Sequence, residues 1–157
     1  MRAIAYAFAV QAGTVGSAGL AADGPRTAFA CTLSNSKRVL VLTEADRITY
    51  RYGTAQRTEL MIEGTPGSRS VFVGHGRFAG AEMQLRFVRG AYSYIIYTME
   101  ANGRAGSSAI SRLMVMRGTR AILDLPCKPY ADFVGGFDLI DRLPPDDDRF
   151  NAISGGD

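Results

Sequence analysis

Histidine and cysteine are scarce in this chain of 157 residues, and tryptophan is absent. The single histidine, His75, and the two cysteines, Cys31 and Cys127, are far apart in the sequence. This is a poor set of metal ligands, because zinc sites draw on several closely spaced cysteines and histidines. A triad hydrolase needs a histidine beside its nucleophile, and no Gly-x-Ser-x-Gly elbow is present. We therefore predict no metal, no cofactor and no catalytic residues.

Long apolar runs and blocks of one charge are also missing. The formal net charge is +3 at pH 7 and no run of lysine or arginine occurs. Such a balance argues against a nucleic-acid partner or a membrane-surface partner. The apolar run from Ala3 to Val10 is interrupted soon afterwards by Gln11 and Gly13, and is too short to span a bilayer. We predict no membrane span.

The first 22 residues have the layout of a secretory signal peptide. One charge at Arg2 precedes the apolar run, and small residues lead to Ala21 and Ala22. A charged start, an apolar middle and a small-residue cleavage site are typical of exported proteins. We predict that the leader 1–22 is removed, that the mature chain begins at Ala22 or Asp23, and that the protein is periplasmic or secreted.

Residues 23–128 contain short alternating segments separated by turn signals about every ten residues. Residues 47–52 show the cleanest alternation, with Ile48, Tyr50 and Tyr52 on one face. This spacing is typical of a sandwich or barrel. We predict an all-β domain, an antiparallel barrel or sandwich of eight or nine strands, with strands at 27–33, 38–42, 47–52, 59–62, 70–73, 82–87, 92–99, 110–116 and 120–125.

Cys31 stands in the first of these segments, and Cys127 directly follows the last. In an exported chain, two cysteines usually form one disulfide. We therefore predict a Cys31–Cys127 bridge that ties the ends of the β domain together.

The sequence changes character in the tail, residues 129–157. Phe133, Phe137 and Ile140 have helical spacing and predict one short helix packed on the sheets, although Gly135 and Gly136 weaken it. The segment 144–148 (Pro-Pro-Asp-Asp-Asp) and the glycine-rich end predict a disordered tail. Three consecutive carboxylates could hold calcium loosely, but a solvated tail is the better interpretation.

Two further patterns have a structural and a functional interpretation. Ser34-x-x-Lys37 matches a nucleophile motif of penicillin-recognising enzymes, but it lies on a hairpin and its companion motifs are absent. The tyrosines could form a stacking surface, but strand alternation places several of them in the core. They are Tyr50, Tyr52, Tyr92, Tyr94 and Tyr97.

From about Thr27 to Lys128, the chain resembles the periplasmic and membrane-anchored inhibitors of C-type lysozyme. The resemblance rests on residues 29–31 (Phe-Ala-Cys), 92–97 (Tyr-Ser-Tyr-Ile-Ile-Tyr) and 116–127, which ends Leu-Asp-Leu-Pro-Cys. It implies an exported antiparallel β-barrel with a cysteine in the first strand bridged to one near the end of the last. It also implies a non-enzymatic function, in which a loop enters the lysozyme cleft.

The family's inhibitory loop carries Ser-Ala-Ser-Gly followed by an aromatic residue. The nearest segment here is 74–78 (Gly-His-Gly-Arg-Phe), which keeps glycine and the aromatic residue and lacks both serines. The family's second contact loop carries Trp-x-Lys-Gly, which this chain lacks. We predict that 74–78 is a loop between strands and that His75, Arg77 and Phe78 form the partner-binding site.

Two other functions remain open. An envelope barrel that binds a small apolar ligand would show a large unfilled interior cavity. An unrecognised hydrolase would need a serine or a carboxylate within reach of His75. Strand order, oligomeric state and the true partner are not decided by the sequence.

Overall fold

The computed structural model describes residues 24–77 and 80–147. The predicted leader 1–22 and the candidate residue Phe78 therefore lie outside the described residues. The regular secondary structure of the described residues is nearly all strand, as predicted. The nine strands are β1 Arg26–Thr32, β2 Arg38–Glu44, β3 Arg47–Gly53, β4 Thr58–Gly64, β5 Val71–Arg77, β6 Ala81–Arg89, β7 Tyr92–Met99, β8 Ile110–Arg117 and β9 Arg120–Pro126.

The strands form two antiparallel sheets in simple chain order. The first sheet has the order β1-β2-β3-β4 and the second has the order β5-β6-β7-β8-β9. Of the two predicted alternatives, the structure is a sandwich rather than a closed barrel. Short turns set these pairings: Gly118, predicted at the β8–β9 turn, has a φ of 56°, which glycine adopts without steric cost.

The inward faces of the two sheets meet in one hydrophobic core. Val41 lies opposite Tyr50 in the β2–β3 register, and Tyr50 lies opposite Ile62 in the β3–β4 register. In the second sheet, Leu85 lies between Val73 and Ile96. The alternation therefore places one row of each strand between the sheets, where burial of apolar area stabilises the fold.

A junction between the ends of β1 and β9 closes one flank of the sandwich. Cys31 and Cys127 are disulfide-bonded with a Cα–Cα distance of 5.6 Å, as predicted. Leu33 forms an isolated antiparallel bridge with Cys127, and the Lys128 amide donates to the Thr32 carbonyl at 2.7 Å. The first and last strands are thus held by a covalent bond and by main-chain hydrogen bonds.

The segment after β9 fills one end of the sandwich. It contains the predicted short helix, α1 Phe137–Ile140, in which Leu139 and Ile140 are buried. The Phe133 ring packs on Phe29 with ring centroids 5.1 Å apart. Phe137, predicted on the packed face with Phe133 and Ile140, is instead 45% exposed.

The prediction of a disordered tail from Pro144 onward is wrong for residues 144–146. Pro145 forms a parallel bridge with Val73 of β5, and the Asp146 side chain is fully buried against Arg86. The charged partner lies 60 residues earlier in the chain. The acidic, proline-containing composition of this segment suggested a solvated tail. Its ion pair with Arg86, which is distant in the sequence, holds the segment on the domain instead.

Among the described residues, no helix is long and apolar enough to cross a membrane.

Replacing both Cys31 and Cys127 with serine should lower the free energy of unfolding by about 4 kcal/mol, because a closed loop of this length restricts the unfolded chain. Urea unfolding followed by circular dichroism measures the change. The reduced wild-type protein is the control and should match the double variant. A loss below about 1 kcal/mol would show that the main-chain junction suffices without the covalent bond.

Candidate functional site

An open cleft of about 460 Å³ lies between the two sheets beside the β3–β4 and β8–β9 turns. Its walls are mainly aromatic and aliphatic. Within residues 24–77 and 80–147 no segment fills it, because the segment after β9 packs at the other end of β3. That segment reaches the β2–β3 turn, where Arg142 pairs with Asp46. The cleft lining comprises Tyr50, Tyr52, Glu59, Leu60, Tyr94, Leu113, Val115, Ile122 and Leu123.

Tyr50 occupies the inner wall of this cleft. Its side chain is fully buried, and its ring lies 5.2 Å from the Phe87 ring and 5.7 Å from the Tyr94 ring. Its hydroxyl has no hydrogen-bond partner among the described residues. An unmade hydrogen bond at a buried hydroxyl costs about 1 to 3 kcal/mol. The site therefore holds an unused polar group within an apolar wall.

The Tyr50 hydroxyl is a neutral donor at physiological pH. Burial raises the pKa of Tyr50 well above its ordinary value of 10.0, and the neighbouring Tyr52 and Tyr94 raise it further. The deprotonated form would carry a negative charge into an apolar environment, which is strongly unfavourable. The group therefore stays protonated and keeps its capacity to donate a hydrogen bond.

The rim of the cleft is polar on one side and apolar on the other. Lys37 forms an ion pair with Glu59 and lies 5.9 Å from the centre of the Tyr52 ring. The Asn35 amide donates to the Tyr52 hydroxyl at 3.4 Å. Across the opening, Ile122 of β9 is 49% exposed. A ligand entering the cleft would meet an apolar lip facing a charged one.

The predicted partner-binding residues lie elsewhere and are not in a loop. His75 and Arg77 belong to β5, where His75 is in register with Met83 and Arg77 with Ala81. The loop prediction is wrong because pairing with β6 extends the strand through Gly74 and Gly76, whose glycines favoured a loop. Both side chains are exposed, and neither lines the aromatic cleft.

His75 borders two smaller cavities that contain carboxylates. Asp141 and Asp146 line one of them, and Glu82, Glu100 and Asp132 line the other. Within the part of the chain that the structure describes, no hydrogen bond or ion pair joins His75 to any of these groups. Catalysis would need such a pair to be in contact, so the arrangement gives the hydrolase alternative no support.

The outer face of the second sheet carries a buried polar network that the sequence analysis missed. Glu82, Gln84 and Arg86 alternate with the core residues of β6, and all three are buried. The Tyr97 hydroxyl donates to Glu82 Oε1 at 2.5 Å, and Arg86 pairs with Asp146. The neighbouring strand β7 carried a sequence signal for this burial. Both of its faces are apolar or aromatic, which is typical of a strand that is buried on both sides of the sheet.

Two other predicted sites are explained structurally. Ser34 to Lys37 forms the β1–β2 turn, where the Lys37 amide donates to Asn35 Oδ1 at 3.0 Å. Asp146, considered for calcium, binds Arg86 instead. No group of three or more histidine, cysteine, aspartate or glutamate side chains in residues 24–77 and 80–147 is placed to hold a metal ion.

Comparison of the chain with protein-family models, with curated proteins and with solved structures gives no match. The resemblance to lysozyme inhibitors therefore stays a prediction.

Tyr50→Phe should raise the free energy of unfolding by about 1 to 3 kcal/mol in the absence of ligand, because it removes a buried hydroxyl without a partner. Thermal and urea unfolding measure the change. Tyr92→Phe is the matched control, since Tyr92 is 36% exposed and its hydroxyl has no such cost. Destabilisation by Tyr50→Phe would mean that the hydroxyl makes a stabilising hydrogen bond.

The same variant should alter the alkaline limb of the stability curve. Because the pKa of Tyr50 is raised in the folded state, the folded protein keeps a proton that the unfolded chain releases above pH 10.0. Stability that is fully present below that pH is lost as the pH rises further. Tyr50→Phe should make this loss shallower, and an unchanged slope would count against the burial of the hydroxyl.

Proposed function

We propose that this chain is an exported, non-enzymatic binding protein whose aromatic cleft takes a small, mainly apolar ligand carrying one hydrogen-bond acceptor. The unpartnered Tyr50 hydroxyl within the apolar wall carries the proposal. A carbonyl, ether or hydroxyl oxygen of a ligand that reaches this hydroxyl from the cleft would accept a hydrogen bond from it. The ligand's acceptor would remove the cost of the unmade hydrogen bond and so add to affinity.

The size and lining of the cleft support this class of ligand. A volume of about 460 Å³ falls within the roughly 300–1,000 Å³ that is usual for small-molecule pockets. Such pockets are lined mainly by apolar and aromatic side chains with few polar groups, as this one is. Tyr52, Tyr94 and Leu113 supply flat and aliphatic surface for an apolar body.

The disulfide supports a location outside the cytoplasm. Structural disulfides persist in oxidising compartments and are rare in reducing ones. The signal-like layout of residues 1–22 points the same way. We propose that the protein acts in the periplasm or after secretion, where it would bind apolar molecules of the cell envelope or its surroundings.

Ile122→Asp should weaken binding of a neutral apolar fluorophore, N-phenyl-1-naphthylamine, by about tenfold or more, because it places a charge at the apolar lip. Fluorescence titration measures the dissociation constant. Met61→Asp is the matched control: Met61 is 48% exposed, like Ile122, but does not line the cleft. Equal effects of the two substitutions, or no binding by the wild type, would reject the cleft as the site.

A second candidate is inhibition of C-type lysozyme. The disulfide that joins the first strand to the end of the last supports it, since the resemblance implies that bridge. His75 and Arg77 are exposed near the end of the β5–β6 hairpin, where Arg77 is in register with Ala81. In this proposal the end of the hairpin enters the lysozyme cleft and donates hydrogen bonds to its two catalytic carboxylates.

Arg77→Ala should weaken lysozyme inhibition by about tenfold near neutral pH, and His75→Ala should weaken it less. A guanidinium presents several donors in a planar fork that matches a carboxylate, whereas an imidazole offers at most two separate donors. Lysis of bacterial walls by lysozyme measures the effect. Arg89→Ala, at the far end of β6, is the control. The absence of inhibition at micromolar wild-type protein would eliminate this candidate.

A further inference from the structure

The carboxylate of Asp146 is held in a pocket built by two side chains of β6. Arg86 Nε lies 2.9 Å from both carboxylate oxygens, and Arg86 Nη2 lies 2.7 Å from Oδ1. The Gln84 amide donates to Oδ2 at 2.6 Å. This forked arrangement is the geometry with which arginine recognises carboxylates.

The pocket is almost fully buried. The Arg86 side chain is 10% exposed and Gln84 is fully buried. The guanidinium lies 4.4 Å from the centre of the Phe72 ring, and Nη1 is 3.5 Å from the Ser93 hydroxyl. Because these contacts hold the guanidinium in one orientation, less side-chain entropy is lost when it binds a carboxylate.

The main chain around Asp146 adds a short strand to the edge of β5. The Val73 amide donates to the Pro144 carbonyl at 3.0 Å, and the Asp146 amide donates to the Val73 carbonyl at 2.7 Å. This is the geometry of strand addition, a common mode of peptide recognition. Main-chain hydrogen bonds contribute affinity in that mode, and a side-chain pocket provides specificity.

The residues next to Asp146 differ in burial. Leu143 is buried and anchors the chain, whereas Pro145 and Asp147 are exposed. A cavity of about 450 Å³ lies beside Asp146 and continues along β5 as far as His75. The described part of the chain thus leaves space along the β5 edge between Asp146 and His75.

We propose that the β5 edge and the Arg86–Gln84 pocket form a binding site for an extended acidic peptide, and that Pro144 to Asp146 occupy it as an internal ligand. An aspartate of the incoming peptide takes the place of the Asp146 carboxylate, and its main chain pairs with Val73. Because the internal segment is tethered at Leu143, its effective concentration is on the order of millimolar, so it competes strongly with external peptides. Residues 144–146 therefore block the site against external peptides.

The test uses the full chain carrying Asp146→Ala and a fluorescein-labelled peptide, Leu-Pro-Pro-Asp-Asp-Asp. Fluorescence anisotropy should show binding to the variant at least tenfold tighter than to the wild type. A matched peptide with asparagine in place of its first aspartate should bind at least tenfold more weakly. The double variant Arg86→Met with Asp146→Ala should lose the preference between the two peptides.

The proposal is overturned if a folded Asp146→Ala variant, judged by circular dichroism, does not distinguish the two peptides. If that variant is unfolded, the peptide is added at millimolar concentration and refolding is followed. Refolding by the aspartate peptide and not by the asparagine peptide supports the proposal, because an external carboxylate then replaces Asp146. Failure of both peptides to restore the fold shows a purely structural ion pair and overturns it.

Discussion

The bond between Cys31 and Cys127 is the constraint on which the two-sheet arrangement depends. Every ladder within the two sheets joins strands that are neighbours in the sequence. The junction at Leu33 and Cys127 is what brings the first strand to the last across a separation of 96 residues. Long-range contacts of this kind carry the largest entropic cost, which a covalent link reduces by restricting the unfolded chain.

The two ends of the space between the sheets differ in whether the described chain fills them. The segment after β9 fills the end near the β2–β3 turn with Phe133, Leu139 and Ile140. Among the residues that the structure describes, no such segment lies at the end near the β3–β4 turn, where the aromatic cleft remains. A binding site thus follows from the fold itself, because one stretch of chain cannot fill both ends.

Much of the fold could be predicted because its signals are local. Alternation over residues 47–52 and turn residues such as Gly118 fix strands without reference to distant contacts. The extension of β5 through His75 could not be predicted, because glycines at 74 and 76 favour a loop and only pairing with β6 overrides them. The burial of Asp146 depends on Arg86, whose position relative to the tail is a property of the tertiary structure.

The candidate cleft was foreseen only in part. Strand alternation placed Tyr50 in the core, as the structure has it, and the ligand-binding alternative named an unfilled interior cavity as its sign. Which wall stays uncovered depends on where the chain after Cys127 packs, and no local pattern encodes that. The missing partner of the Tyr50 hydroxyl likewise follows from the geometry of three strands together.

The two buried polar sites differ in a way that bears on function. The Asp146 carboxylate is bound by Arg86 and Gln84, so an external peptide would have to displace it. The Tyr50 hydroxyl has no partner among the described residues, and such buried groups are rare in folded proteins. The aromatic cleft is therefore open to a ligand, whereas the Arg86 pocket is already occupied by a segment of the chain.

The most direct test of the ligand-binding cleft is the nuclear magnetic resonance spectrum of the tyrosine rings during titration with a neutral apolar ligand such as 1-octanol. The account predicts shifts concentrated on Tyr50, Tyr52 and Tyr94, with Tyr92 and Tyr130 unchanged. Shifts confined to the exposed rings, or a spectrum that does not respond to the ligand, would contradict it.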